Sequence, residues 1–179
     1  MKVGERNIRI TAPVDRAILA ELRAGDTVSL TGTMLVFRDQ VHRRLCEMIT
    51  DGLPLPFSLK DQVVYYCGPT PARHGMPVGS AGPTTSSRMD PFTEPLLKRG
   101  LAAMIGKGNR SEETVEQIRK HHAVYLLATG GTGALIAQRI EAVSMLAFPE
   151  LGPEAARIFT IRDFPLIVGI DSHGASVFA

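Results

Sequence analysis

Four stretches of this chain carry cationic, hydroxyl or glycine residues of the kinds that line a ligand site. In Phe37-Arg38-Asp39-Gln40-Val41-His42, Asp39 reads as a helix N-cap with Arg38 and His42 solvated beside it. Alternatively, Arg38 lies in a cleft as a bidentate carboxylate clamp, a task its planar guanidinium suits. Gly82-Pro83-Thr84-Thr85-Ser86-Ser87-Arg88-Met89-Asp90 offers close backbone approach and a second clamp in Arg88, although a surface loop would have the same composition. Gly106-Lys107-Gly108-Asn109-Arg110-Ser111 leads into a helix capped by Ser111. Lys107 and the helix N-terminus together favour an anion, but the spacing is not that of a P-loop. Thr129-Gly130-Gly131-Thr132-Gly133-Ala134 is a glycine turn at a helix entry. Ile136 fills the third glycine position of a dinucleotide fingerprint, so nucleotide binding is only an alternative.

Other chemistry-bearing residues point to quieter roles. Cys46 and Cys67 are too far apart for a CxxC site and have apolar neighbours, as buried, inert thiols do. His121 and His122 are adjacent and diverge on a helix, so they read as a surface charge pair rather than metal ligands, and His74 and His173 as solvent-facing. Twenty basic against eighteen acidic side chains leave +2, a balance that argues against nucleic acid or a membrane surface as partner. No apolar run approaches the ~20 residues of a spanning helix. Met1–Arg9 is charged rather than signal-like, so the cytoplasm is the expected location.

The 179 residues suit one domain. Strands are expected at Asn7–Ile10, Thr27–Thr31, Gln62–Cys67, Ala102–Ile105, Ala123–Ala128, Val143–Phe148, Arg157–Ile161 and Leu166–Ile170. Helices are expected at Val14–Leu22, after Asp39, over Ser111–His121 and over Ala134–Ile140. Between them, the Gly- and Pro-rich stretch Gly68–Pro95 reads as one long functional loop without core elements. The alternation implies a single-domain α/β fold with helices packed against a sheet, and the adjacent final strands argue against a purely doubly wound one.

Taken in order, GDTVSLTGTMLVFRDQVHRRL, VVYYCGP, SAGPTTSSRMDPF, GKGNRS, ATGGTGAL and FPLIVGIDSHG resemble the C-terminal half of class I fumarases and the β subunit of two-chain fumarases and tartrate dehydratases. The resemblance spans nearly the whole chain and implies one β-type catalytic domain over residues 1–179, of swivelling β/β/α type, with a mixed sheet backed by helices. It implies water addition to a C4 dicarboxylate, with fumarate ahead of tartrate or mesaconate because the KGNRS form is closer to fumarases. Arg38, Arg88 and Lys107 would bind substrate carboxylates, and Thr84, with Lys107, would serve proton abstraction. Asp39, His42, Thr85 and Asn109 would support them. It further implies that no cofactor is bound by this chain alone, a four-iron, four-sulfur cluster being held by a partner α subunit in a hetero-oligomer. Met1 running directly into the domain suggests a separate polypeptide.

Overall fold

The computed structural model describes residues 6–72, 74–128 and 133–178. Seven strands form one mixed sheet: β1 (Asn7–Ala12), β2 (Thr27–Val36), β3 (Val63–Tyr65), β4 (Ala103–Gly106), β5 (Val124–Leu127), β6 (Ile140–Ala147) and β7 (Ala156–Ile170). The helices are α1 (Arg16–Glu21), α2 (Asp39–Thr50), α3 (Asp90–Lys98), α4 (Glu112–Lys120) and α5 (Gly133–Ala137), with 3₁₀ turns at Ser86–Met89 and Pro149–Glu154. The single α/β domain with a mixed sheet is the fold class expected from the sequence.

The continuous apolar run Val63-Val64-Tyr65-Tyr66-Cys67 is what a parallel strand buried on both faces requires. Its side chains alternate between two cores. Val63, Tyr65 and Cys67 join Leu30, Ile105, Leu126 and Phe164 on one face of the sheet. Val64 and Tyr66 join Val41, Leu45, Leu96, Leu97 and Ile118 on the face covered by α2, α3 and α4.

Strands β1 to β5 are parallel in sequence order, whereas β7 runs antiparallel to β2, β5 and β6. The pairings β2–β3–β4–β5–β7–β2 therefore close a circuit, a partial barrel, with β1 and β6 attached outside it. The handover along β2 from β1 to β3 follows Gly32, whose φ is +117° and where a Cβ would sit 2.3 Å from Ala12 O. Only glycine fits there.

Four sequence expectations change. The last third of Gly68–Pro95 is not loop but the Ser86–Met89 turn and α3, with Met89, Leu96 and Leu97 buried. Pro91 is tolerated in the first turn of α3, where the lost N–H would be unpaired anyway. The two expected final strands are one, β7, continuing through Asp163 at φ 48°. Asp39 is the first residue of α2, and Arg38 holds the cap position without a side-chain cap bond. Last, α5 ends at Ala137, and Ile140 already belongs to β6.

Candidate active site

Open parallel sheets bring functional groups together beyond the carboxyl ends of their strands, and here those ends converge. Arg38 follows β2, Gly68 follows β3, Lys107 follows β4, and Gly133 opens the helix after β5. With Thr70, Ser80, Gly82, Pro83, Thr84, Thr85 and Arg88 they line an open cleft of ≈ 490 Å³. Thr129–Thr132 of the expected glycine turn lie outside the described residues.

Thr84, Thr85 and Ser86 are held between the ends of β3 and β4. The Thr84 N–H donates to Tyr66 O (2.7 Å), the Lys107 N–H to Thr84 O (3.3 Å), and the Ser86 N–H to Lys107 O (2.9 Å). The segment thereby acts as a short added strand, bridged in parallel at Thr85 and Lys107, and sets Thr84 and Lys107 side by side. Gly106 makes room for it, since a Cβ there would fall 1.9 Å from Ser86 Oγ. Beneath, the Tyr125 hydroxyl donates to Gly108 O (2.8 Å), leaving the Ser86 hydroxyl, 2.8 Å away, to donate to Tyr125.

Asp39 links the two arginines of the cleft. Its Oδ1 accepts from Arg88 Nε at 2.9 Å, and its Oδ2 lies 3.2 Å from Arg38 Nε. Glu154, from the turn before β7, binds Arg38 Nη2 at 2.7 Å. Among the described residues, no carboxylate lies within ion-pair range of exposed Lys107.

His42 is buried, not solvated. Its ring packs against Phe37, Tyr66 and Phe92, and Nδ1 lies 2.9 Å from Arg38 O. A carbonyl only accepts, so Nδ1 carries a proton, and the buried Nε2 with no hydrogen-bond partner suits the neutral ring. Burial lowers its pKa from 6.5 to about 4. Its position ties the backbone of Arg38 to the first turn of α2.

Arg110 is the support that sequence reasoning passed over, although it stands within GKGNRS. Its guanidinium is fully buried, donating from Nε to Asp90 Oδ1 (2.6 Å) and from Nη2 to Thr93 Oγ1 (2.8 Å). It lies 5.6 Å from the Tyr66 ring centroid and 5.1 Å from that of Tyr125. Asp90 Oδ2 takes the Ser111 N–H (2.9 Å). The positive end of α4 is thus answered by the protein's own carboxylate, and Ser111 caps α4 through Thr114 N–H.

Arg38, Thr84, Thr85, Arg88 and Lys107 therefore share one cleft, with Asp39 and His42 behind it. Asn109 does not join them. Its side-chain oxygen accepts from the Arg110 N–H (2.8 Å), and it lines a separate hollow with Glu112 and Phe178. His74 and His173 are exposed as expected. His121 is half-buried with a pKa lowered chiefly by burial, which argues against the expected charge pair.

The fumarase C-terminus family model matches residues 1–179. This chain belongs to that family. Its relatives include the anaerobic class I fumarate hydratase of Escherichia coli K12, 40% identical over 164 residues, which are 90% of this chain and 30% of that protein. Fumarate hydratase 2 of Leishmania major is 36% identical over 176 residues, 96% of this chain and 31% of the relative. The L(+)-tartrate dehydratase subunit beta of E. coli K12 is 34% identical over 175 residues, 95% of this chain and 86% of that subunit. The chain thus spans less than a third of these fumarate hydratases but most of the tartrate dehydratase subunit.

The family member's own donor set does not suit a metal cluster. Cys67 is buried among the sheet's apolar side chains, while the Cys46 thiol donates to Phe92 O on the helical side. Burial pushes the two thiols up to about 12 and about 11 respectively, away from the thiolate a metal needs. No group of three or more His, Cys, Asp or Glu among the described residues could hold a metal ion. Nor, among the described residues, is any helix long and apolar enough to cross a membrane.

Proposed function

We propose that this chain is the β-type catalytic domain, over residues 1–179, of a two-subunit iron–sulfur fumarate hydratase, and that it acts with a cluster-bearing α subunit in the cytoplasm. The observation that carries this reading is the convergence of Arg38, Arg88 and Lys107 on one cleft with Thr84 beside them. Adding water to a C4 dicarboxylate, or removing it again, needs cations for two carboxylates and a further stabiliser for the charge that grows when, in the dehydration direction, a proton leaves the carbon beside one of them. Arg38 and Arg88 bind the carboxylates, and Lys107 faces the growing charge. In the dehydration direction the Lys107 amine takes the Thr84 hydroxyl proton, because a free hydroxyl is too weak a base. The Thr84 oxygen then takes the proton from carbon while the Lys107 ammonium faces the growing charge; hydration returns that proton to carbon. Asp39 spans both arginines and keeps their spacing. The Lewis acid that assists departure of the hydroxyl belongs to the partner's four-iron, four-sulfur cluster.

A β-type role beside a cluster-bearing partner is supported by the likeness to the tartrate dehydratase subunit beta. That likeness also favours tartrate as the second substrate, ahead of mesaconate. The test offers fumarate, L-tartrate and mesaconate in parallel to the assembled, cluster-loaded complex. We expect kcat/KM to be highest for fumarate. A higher value for tartrate or mesaconate would replace fumarate as the substrate, and no dehydratase or hydratase turnover by an intact complex would overturn the reading.

A further inference from the structure

Arg38 is held from behind by a residue far along the chain. Its Nη2 lies 2.7 Å from Glu154 Oε1, and its Nε faces Asp39 Oδ2 at 3.2 Å. These two nitrogens form one edge of the guanidinium fork, so both internal carboxylates lie along the same edge. The remaining nitrogen, Nη1, sits against Gly68 on the cleft wall, where a Cβ would come to 3.3 Å.

The carboxylate making this contact is itself fixed. Glu154 ends the Pro149–Glu154 turn. The Arg157 guanidinium grips the carbonyls of Gly152 (2.7 Å), Pro153 (2.9 Å) and Ala155 (3.0 Å) around it. At the other end of the turn, Glu150 pairs with Arg44 of α2. Glu154 Oε2 is buried without a hydrogen-bond partner, as are Arg38 Nε and Asp39 Oδ2. A surface ion pair would leave such atoms to water; burying them carries a desolvation cost. A rigid turn that accepts this cost in order to hold one side chain has a purpose beyond its own stability.

We propose that Glu154 is a positioning residue, which takes the rear edge of Arg38 so that Nη1 is presented to a substrate carboxylate over Gly68. This rests on the reading of Arg38 as a carboxylate clamp. Loss of the contact frees a long side chain to sample several rotamers, so ground-state and transition-state binding fall together. The signature is a raised KM with little change in kcat.

The test compares Glu154→Gln and Glu154→Asp in the assembled complex. We expect E154Q to raise KM for fumarate about tenfold with kcat within about threefold, and E154D to recover most of the loss. An unchanged KM in E154Q, or an E154D variant no better than E154Q, would overturn the proposal. A second measurement needs no activity: the Arg38 Nε–H resonance of the isolated full chain, assigned by its disappearance in Arg38→Lys. It should be ordered in the wild type and motionally averaged in E154Q; an identical signal in both contradicts the positioning role. A wild-type complex that hydrates no fumarate would count against the hydratase reading, and the resonance would then decide Glu154 alone.

Discussion

Arg88 enters the cleft from the 3₁₀ turn that precedes α3, half-exposed and with Nε held against Asp39. One tether still leaves donors on its fork for a ligand. If Arg88 holds a substrate carboxylate while charge builds, Arg88→Ala removes a stabiliser that no neighbour replaces. We expect kcat/KM of the assembled enzyme to fall by at least ~100-fold, with thermal stability nearly unchanged because the pair is solvent-screened. Full activity in that variant would contradict the assignment. His42 makes a different prediction, one of stability. Its pKa lies at about 4 in the folded chain against 6.5 unfolded, so between those values the unfolded state takes up the proton and the folded state does not. The contribution is complete above pH 6.5 and is lost as pH falls towards 4, roughly 3 kcal/mol in all. Urea unfolding across that range should show the loss, and His42→Gln should flatten this part of the slope. A parallel pH profile in the variant would mean that His42 is not the group responsible.

At the scale of elements, the Thr84 and Lys107 side of the cleft depends on Thr84–Ser86 seating itself between β3 and β4. Gly106 permits it, and a methyl group there meets Ser86 Oγ at 1.9 Å and Tyr66 Cδ2 at 2.9 Å. Gly106→Ala should therefore displace the segment, destabilise the fold by about 1–3 kcal/mol and lower activity more than stability alone explains. The double variant Gly106→Ala/Ser86→Ala should recover part of both, and an unaltered Gly106→Ala protein would contradict this packing. Much of this arrangement was legible beforehand. The buried strand VVYYC, the Ser111 cap and the clustering of Arg38, Arg88 and Lys107 all follow from residue types, spacing and the family resemblance. What escaped has physical reasons. Pro91 and Pro95 made α3 look like loop, because composition does not show that Pro91 falls in the first helical turn, where a proline loses nothing, nor that the helix continues through Pro95. Arg162, Asp163 and Pro165 break the alternation within β7, and only pairing to β2 on one side and to β6 and β5 in turn on the other restores it as one strand. Glu154 and Arg110 were invisible as partners because their contacts are made by tertiary packing, and local patterns carry no trace of them. Asn109 was misplaced for the converse reason: it is adjacent in sequence to the site residues, but the turn directs it away.

For the molecule as a whole, the circuit β2–β3–β4–β5–β7–β2 gathers four strand ends at one rim and leaves the cleft there open. The helices α2, α3 and α4 cover the other side of the sheet, with Arg110 and Asp90 joining α3 to α4 beneath the site. The rim carries cations, hydroxyls and glycines, and the chain's thiols lie elsewhere in its two cores. On the proposed function, such a surface binds and orients a dicarboxylate and does half of a dehydration. The most direct test is fumarate hydration by the purified chain alone and after anaerobic mixing with a cluster-loaded α subunit, followed by loss of the double-bond absorbance. We expect no turnover by the chain alone and turnover in the mixture. Hydration by the chain alone, or none from a complex shown to be formed with its cluster intact, would contradict the half-site reading.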